Sequence, residues 1–203
     1  MDDEKAICRI CGFKPSERPG GEKGSEPTYG ICKCCGAEPG HGDSSPEAIK
    51  SSREKWIREG MAWRSKTEPQ PENWDPEWQL LNIPGEYSDF IRKNGIYLQP
   101  KLGVAEWAFG RGNALKYLDI LRAKKIPCLG GDVIAEGKDG AFGYTHDNWH
   151  HEKGTGDSQE KYANDSIAKA IKYIKNYQEK TGGEYYYVMV AGLRPSEMLL
   201  SGR

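Results

Sequence analysis

The sequence predicts an α+β protein in two parts: a small cysteine-rich unit with a helix, then a β-α-β-β-α-β two-layer sandwich. Three observations lead there. Five of the six cysteines stand within the first 35 of 203 residues. Residues 64–76 (RSKTEPQPENWDP) hold three prolines and interrupt any regular element. Beyond residue 90, glycine turns separate alternating apolar segments from two longer stretches of helical period. The expected boundaries are 1–63 for the cysteine-rich unit, 64–90 for a Pro-rich linker with a short helix, and 91–203 for the sandwich.

The first element is a repeated turn. Cys8-Arg9-Ile10-Cys11-Gly12 and Cys32-Lys33-Cys34-Cys35-Gly36 both read C-x2-C-G, with the 20 residues 12–31 between the pairs. The start MDDEKAICRI is acidic where an export signal is basic and then apolar, so a cytoplasmic protein with reduced thiols is expected. Clustered thiols at this spacing read as a zinc ribbon with Cys8, Cys11, Cys32 and Cys35 as ligands. The glycine after each second cysteine supplies backbone freedom that a Cβ would restrict. Four protein ligands leave no open position, so the expected cofactor is one structural Zn2+. The intervening residues are almost all glycine, proline and charge, and a metal replaces the core they cannot form. Cys34 and His41 remain alternate ligands, and surplus thiols leave a redox switch as a second role.

Ser45-Pro46-Glu47 starts a helix, with serine as cap and proline at the first helical position, and Gly60 closes it. Ile49, Arg53, Trp56 and Ile57 share one face, which makes Trp56 a packing residue. Asp75-Pro76 caps a short helix carrying Trp78, Leu80 and Leu81 that stops before Pro84. In the second part, residues 104–109 read as a strand and 113–124 as a helix capped by Asn113, with Leu115, Leu118 and Leu121 as its stripe. Residues 126–133 and 142–149 read as strands. Asp157 with Glu160 forms a capping box for a helix striped by Ile167, Ala170, Ile171 and Ile174, and 184–190 closes as a strand. Two helices on one face of a mainly antiparallel sheet satisfy this order.

Charge and motifs narrow the function. The formal net charge is −1, which gives no bulk drive toward nucleic acid or anionic lipid. No run of apolar residues is long enough for a membrane span. The densest polar cluster is 144–152 (YTHDNWHHE), preceded by Gly130-Gly131-Asp132. On a strand, His146, Asn148 and His150 face one side while Asp147, Trp149 and His151 face the other, so one metal does not collect the histidines. Gly110-Arg111-Gly112 lacks the lysine of a phosphate loop and reads as a tight turn, and Cys128 sits among apolar residues as an inert thiol. No catalytic residue is assigned. Aromatic and acidic residues together suit a protein-binding surface, for which the candidates are Trp107, Asp132, Tyr144, Asp147, Asn148, Trp149 and Glu152.

Residues 8 to about 83 resemble the cysteine-rich CPCC-type family of small bacterial proteins. The shared features are Cys8-x2-Cys11-Gly12, Pro27-x-Tyr29-x-Ile31-Cys32-x-Cys34-Cys35-Gly36, Arg53-x2-Trp56, Gly60, and Trp74-Asp75-Pro76 before Ile83-Pro84. Arg9 and Lys33 stand where that family usually carries proline, and neither is a ligand. Residues from about 95 to 191 resemble immunity protein family 40 of bacterial polymorphic toxin systems. That resemblance runs through Gly103-Val104-x-Glu106, Ala114-Leu115, Ile126-Pro127-x-Leu129-Gly130-Gly131-Asp132-Val133, Tyr144-x2-Asp147-Asn148-Trp149 and the closing tyrosine-rich strand. It implies an antitoxin that binds a cognate toxin effector domain, with no catalysis of its own.

Two other functions compete. A nucleic-acid-binding ribbon rests on Arg9, Lys14, Arg18, Lys23 and Lys33, but residues 1–45 hold eight acids against six bases. A tetrathiolate zinc site lowers that charge further. A hydrolase using Asp132, His146, Asp147 or His150 requires two of these groups to converge on one point.

Overall fold

The computed structural model describes residues 7–15, 30–179 and 183–202. Arg18, Lys23 and the Pro27–Tyr29 part of the CPCC-like motif lie outside them. The chain divides into two compact units, one of residues 1–89 with 195–202, the other of residues 90–194. Among the described residues, no helix is long and apolar enough to cross a membrane.

In the first unit, α1 (Pro46–Arg58) begins as its sequence requires: Ser45 Oγ accepts from the Ala48 amide at 3.2 Å, and Pro46 occupies the first turn. It ends at Gly60, whose φ of +82° lets the Met61 amide reach back to the Trp56 carbonyl at 3.0 Å. Asp75 caps α2 (Pro76–Gln79) through the amides of Glu77 and Trp78, and a 3-10 turn continues over Leu80–Asn82. Trp56, Ile57 and Leu80 are buried with Cys11 and Cys34, and Phe13, Trp63 and Trp74 pack around them. Residues 64–76 are therefore not a free linker. The amides of Arg64 and Ser65 donate to the carbonyls of Cys34 and Lys33, and Trp63 packs edge-on against both Phe13 and Trp74. The C-terminal helix α7 (Pro195–Ser201), read from sequence as part of the second domain, belongs to this unit. The Glu77 carboxylate caps it through Ser196 N and Oγ, at 2.9 and 2.6 Å.

Helix α3 (Glu86–Asn94) leads into the second unit. There the order is β1 (Ile96–Tyr97), α4 (Gln99–Leu102), β2 (Trp107–Gly110), α5 (Arg111–Ala123), β3 (Cys128–Glu136), β4 (Phe142–His150), α6 (Gln159–Asn176) and β5 (Glu184–Ala191). The β-α-β-β-α-β core is as expected, with β1 added at the edge. All neighbours pair antiparallel in the order β1-β2-β5-β3-β4. Strands β2 and β3, joined through α5, are thus parallel with β5 between them, and β4 and β5, joined through α6, enclose β3. Neither joined pair can form its ladder alone, so the sheet closes only when β5 enters. Helices α5 and α6 pack on each other and on the sheet.

Two caps differ from expectation. Helix α5 starts at Arg111, so Asn113 lies inside its first turn. Arg111 instead spans to the end of α6, donating to the carbonyls of Ile174 (2.6 Å), Lys175 (3.1 Å) and Tyr177 (2.8 Å) and pairing with Glu179. Those carbonyls are orphaned at a helix C-terminus, where a cation is favoured. At α6 the cap is Ser158, whose Oγ accepts from the Lys161 amide, while the Asp157 carboxylate accepts from the Gly154 amide.

Candidate metal centre and binding face

The two C-x2-C-G turns fold alike. Gly12 N donates to Cys8 O and Gly36 N to Cys32 O, each at 2.8 Å, while Cys8 N and Cys32 N donate to Phe13 O and Ala37 O. Both glycines have φ of +75°, and a Cβ on Gly12 would lie 2.4 Å from the Gln79 carbonyl oxygen. The turns face each other so that the Sγ atoms of Cys8, Cys11, Cys32 and Cys35 all lie within 4.8 Å of one another. The Cys8–Cys35 and Cys11–Cys32 separations are 3.7 Å. A tetrahedral centre with metal–sulfur bonds of about 2.3 Å places its sulfurs about 3.8 Å apart. The four donors therefore fit a tetrahedral thiophilic cation.

Cys34 is not one of these four donors, although its sulfur also neighbours that of Cys11. It is wholly buried, and its Sγ accepts from Gln79 Nε2 at 3.3 Å. His41 is exposed and also lies outside the four donors. Side chains from other elements brace the turns. Gln79 Nε2 donates to Cys11 O at 2.8 Å, Asn82 Nδ2 to Gly12 O at 3.0 Å, and Arg53 to the carbonyls of Ile10 and Arg9 at 3.0 and 2.6 Å. Burial lowers the affinity of the Arg53 guanidinium for its proton, and the sulfurs of Cys8 and Cys11 oppose that. The Cys11 thiol is pushed up, first by the Cys32 sulfur beside it. Four thiols this close ionise together only if a cation neutralises them.

The second unit distributes the aromatic and acidic candidates over two faces of the sheet. Trp149 points toward the helices, is 5% exposed and packs on Tyr173 with ring centroids 4.8 Å apart. It is a core residue and offers no surface. Its ring also explains the second glycine of the Gly130-Gly131 pair, since a Cβ on Gly131 would lie 2.4 Å from Trp149 Cη2 and 2.0 Å from Val188 O. Trp107 is half-buried at the start of β2, beside the edge strand β1, tilted against Tyr97 at 5.1 Å, with its indole nitrogen buried. Asp147 is exposed and accepts from Tyr177 Oη at 2.7 Å, which ties it to the end of α6. Glu152 is exposed beyond β4.

Asp132, Tyr144 and Asn148 share the opposite face. Asp132 pairs with Val188 on one side and Asn148 on the other, and Ile134 pairs with Tyr144. Between these pairs β4 holds two extra residues, with His146 at φ of +67° and Thr145 Oγ1 donating to Val133 O, so alternation is preserved across the bulge. This face is covered in part: Leu98, Ala108, Ile134 and Val188 are buried together, with Ile96, Leu102, Val104, Phe142 and Tyr186 around them. Glu106, two residues before Ala108, joins the same face. Burial and then the Asp132 carboxylate raise the Glu106 carboxyl above the ordinary range, and burial, Glu106 and Asp132 together raise the Tyr144 phenol. Glu106 belongs to the Gly103-Val104-x-Glu106 motif, which by itself assigns it to no site. A single acid in VAEWAF gave no other signal.

The histidine-rich stretch forms no three-donor group among the described residues. His151 stacks on Tyr162, whose hydroxyl donates to the His151 carbonyl at 3.1 Å. Cys128 is buried, and its thiol is pushed up to about 12 by that burial.

Residues 98–191 match the family model described as immunity protein 40. The match runs from the start of α4 to the last residue of β5 and so takes in the whole four-strand core with α5 and α6. It supports an immunity-protein role for this unit. No curated protein sequence and no solved structure matches the chain.

Proposed function

We propose that this chain is an immunity protein: it binds a cognate secreted bacterial toxin in the cytoplasm and blocks it by occupying its surface, without chemistry of its own. The observation that carries the reading is the match of residues 98–191 to the immunity protein 40 model. A sheet face with acidic and aromatic residues left uncovered supports it, because such surfaces suit protein partners. Asp132, Tyr144 and Asn148 are the candidate contacts, with Asp147 and Glu152 beside them.

The cysteine unit is a zinc ribbon in this account. Cys8, Cys11, Cys32 and Cys35 hold one Zn2+ as thiolates, and the ion supplies a closed structural centre that ties two polar turns to the core around Trp56. Sulfur separations of 3.7 Å and the repeated C-x2-C-G turns support the assignment. The ribbon serves as scaffold or as an additional contact with the toxin.

Recovery of the tagged chain from its source cell, with bound proteins and nucleic acids identified in one sample, tests the reading. A single tight protein partner encoded nearby is the expected result. Nucleic acid without such a partner would refute it.

A further inference from the structure

The sheet face opposite α5 and α6 carries an arrangement that folding alone does not reward. Segment 96–104 covers the rows around Ile134 and Val188 and leaves a strip beside them. Glu106 and Asp132 are half-buried on that strip: Asp132 and Ala108 pair with opposite sides of Val188, and Glu106 stands two residues before Ala108, where burial and then the Asp132 charge raise its carboxyl. Neither carboxylate makes an ion pair with any described residue. Lys101, the cation within this covering segment, instead lies over the Phe142 ring at 4.2 Å. Two like charges that share a partly desolvated site cost stability unless something compensates them.

A second observation is independent of charge. Tyr144 and Val190 are 39% and 42% exposed, and few large apolar side chains of the described chain are so open. Val190 pairs with Gly130, which has no side chain, and Tyr144 pairs with Ile134, so both flank the row of Val188, Asp132 and Asn148. The strip thus combines an acidic centre, apolar contacts on either side, and a notch where Gly130 leaves the backbone bare. Every one of these residues falls within the stretch matched by the family model.

We infer that this strip receives a basic segment of a protein partner, with an arginine or lysine side chain set between Glu106 and Asp132 and apolar neighbours resting on Tyr144 and Val190. The inference deepens the immunity reading and rests on it: the segment belongs to the toxin. An incoming guanidinium or ammonium compensates both carboxylates at once, and the strip is set before the partner arrives. The same carboxylates repel nucleic-acid phosphates and anionic lipid headgroups. Glu106 then joins Asp132 as a specificity-determining residue.

The test uses the full-length zinc-loaded chain and the purified toxin domain encoded by the neighbouring gene, with affinity measured at two salt concentrations. Wild type is expected to bind, more weakly at high salt. Glu106→Gln with Asp132→Asn keeps the shapes and removes the charges, and it should weaken binding roughly tenfold to a hundredfold. Its thermal midpoint should be equal to or above that of wild type, because a repulsion is gone. Tyr144→Ala, which does not depend on the acidic pair for folding, should weaken binding by roughly tenfold or more. Asp119→Asn with Glu160→Gln, exposed carboxylates on α5 and α6, should leave affinity unchanged and so excludes a bulk-charge effect. If the Glu106/Asp132 variant and Tyr144→Ala bind as tightly as wild type, the strip is not the interface although the immunity reading stands. If wild type does not bind, the immunity reading fails and the strip falls with it.

Discussion

Serine replacement at two adjacent cysteines separates ligand from spectator. Cys35 Sγ lies 3.7 Å from Cys8 Sγ and within the four-sulfur group, whereas the Cys34 sulfur is turned into the core and accepts from Gln79. Structural zinc contributes on the order of 10–16 kcal/mol in small zinc-folded peptides. If four equal bonds share that, one thiolate is worth about 3 kcal/mol, which corresponds to an affinity loss of about a hundredfold or more. A serine hydroxyl does not ionise and cannot replace it. Cys35→Ser and Cys8→Ser should therefore yield chains that lose zinc to a chromogenic chelator that wild type withstands, and residues 1–89 should lose their fold with it. Cys34→Ser presents a different problem. Its hydroxyl enters a fully buried position where Gln79 Nε2 already offers a donor. The cost is about 1–3 kcal/mol, or roughly 4–20 °C in the midpoint of a unit this size, with one zinc per chain retained. Zinc counted by elemental analysis after dialysis reads both. Equal zinc loss from Cys34→Ser and Cys35→Ser, or retention by Cys35→Ser, would refute the ligand assignment.

Four further outcomes follow from the same geometry. Gly131→Ala forces a Cβ to within 2.0 Å of Val188 O and 2.4 Å of the Trp149 ring, so it should destabilise the sheet unit by about 3 kcal/mol or more in urea unfolding. Arg111→Ala leaves three carbonyls at the end of α6 without their donor and should cost about 1–3 kcal/mol, seen as faster amide exchange at residues 172–176. Cys128, with its thiol raised from 9.0 to about 12 by burial, should not react with a thiol reagent at pH 8 until the chain is denatured. Because its proton is held more tightly folded than unfolded, its contribution to stability is fully present below pH 9 and is lost as pH rises from 9.0 toward 12. Cys128→Ala should flatten that decline.

Local chemistry was the part of this protein that could be read ahead of its fold. Ser45-Pro46 and Gly60 delimit α1 because caps act within a few residues, and the two C-x2-C-G turns form because the glycines permit φ of +75°. The order of strands and helices in the second unit follows from periodicity in the same way. What periodicity does not contain is which strand lies beside which: β5 enters between β2 and β3 only through long-range pairing. Alternation separates Trp149 from Asn148, but only the position of α6 decides that the tryptophan is the buried one. The place of helix α7 beside Glu77 likewise depends on a contact 119 residues away. Glu106 was hidden for a related reason, since its meaning comes from Asp132 on a strand that it does not pair with directly.

Growth of cells that express the neighbouring toxin gene, with and without this chain under separate control, is the most direct test of the central claim. The account predicts growth arrest with toxin alone and recovery that rises with the amount of wild-type chain. Equal arrest in the presence and absence of a zinc-loaded, folded chain would contradict it.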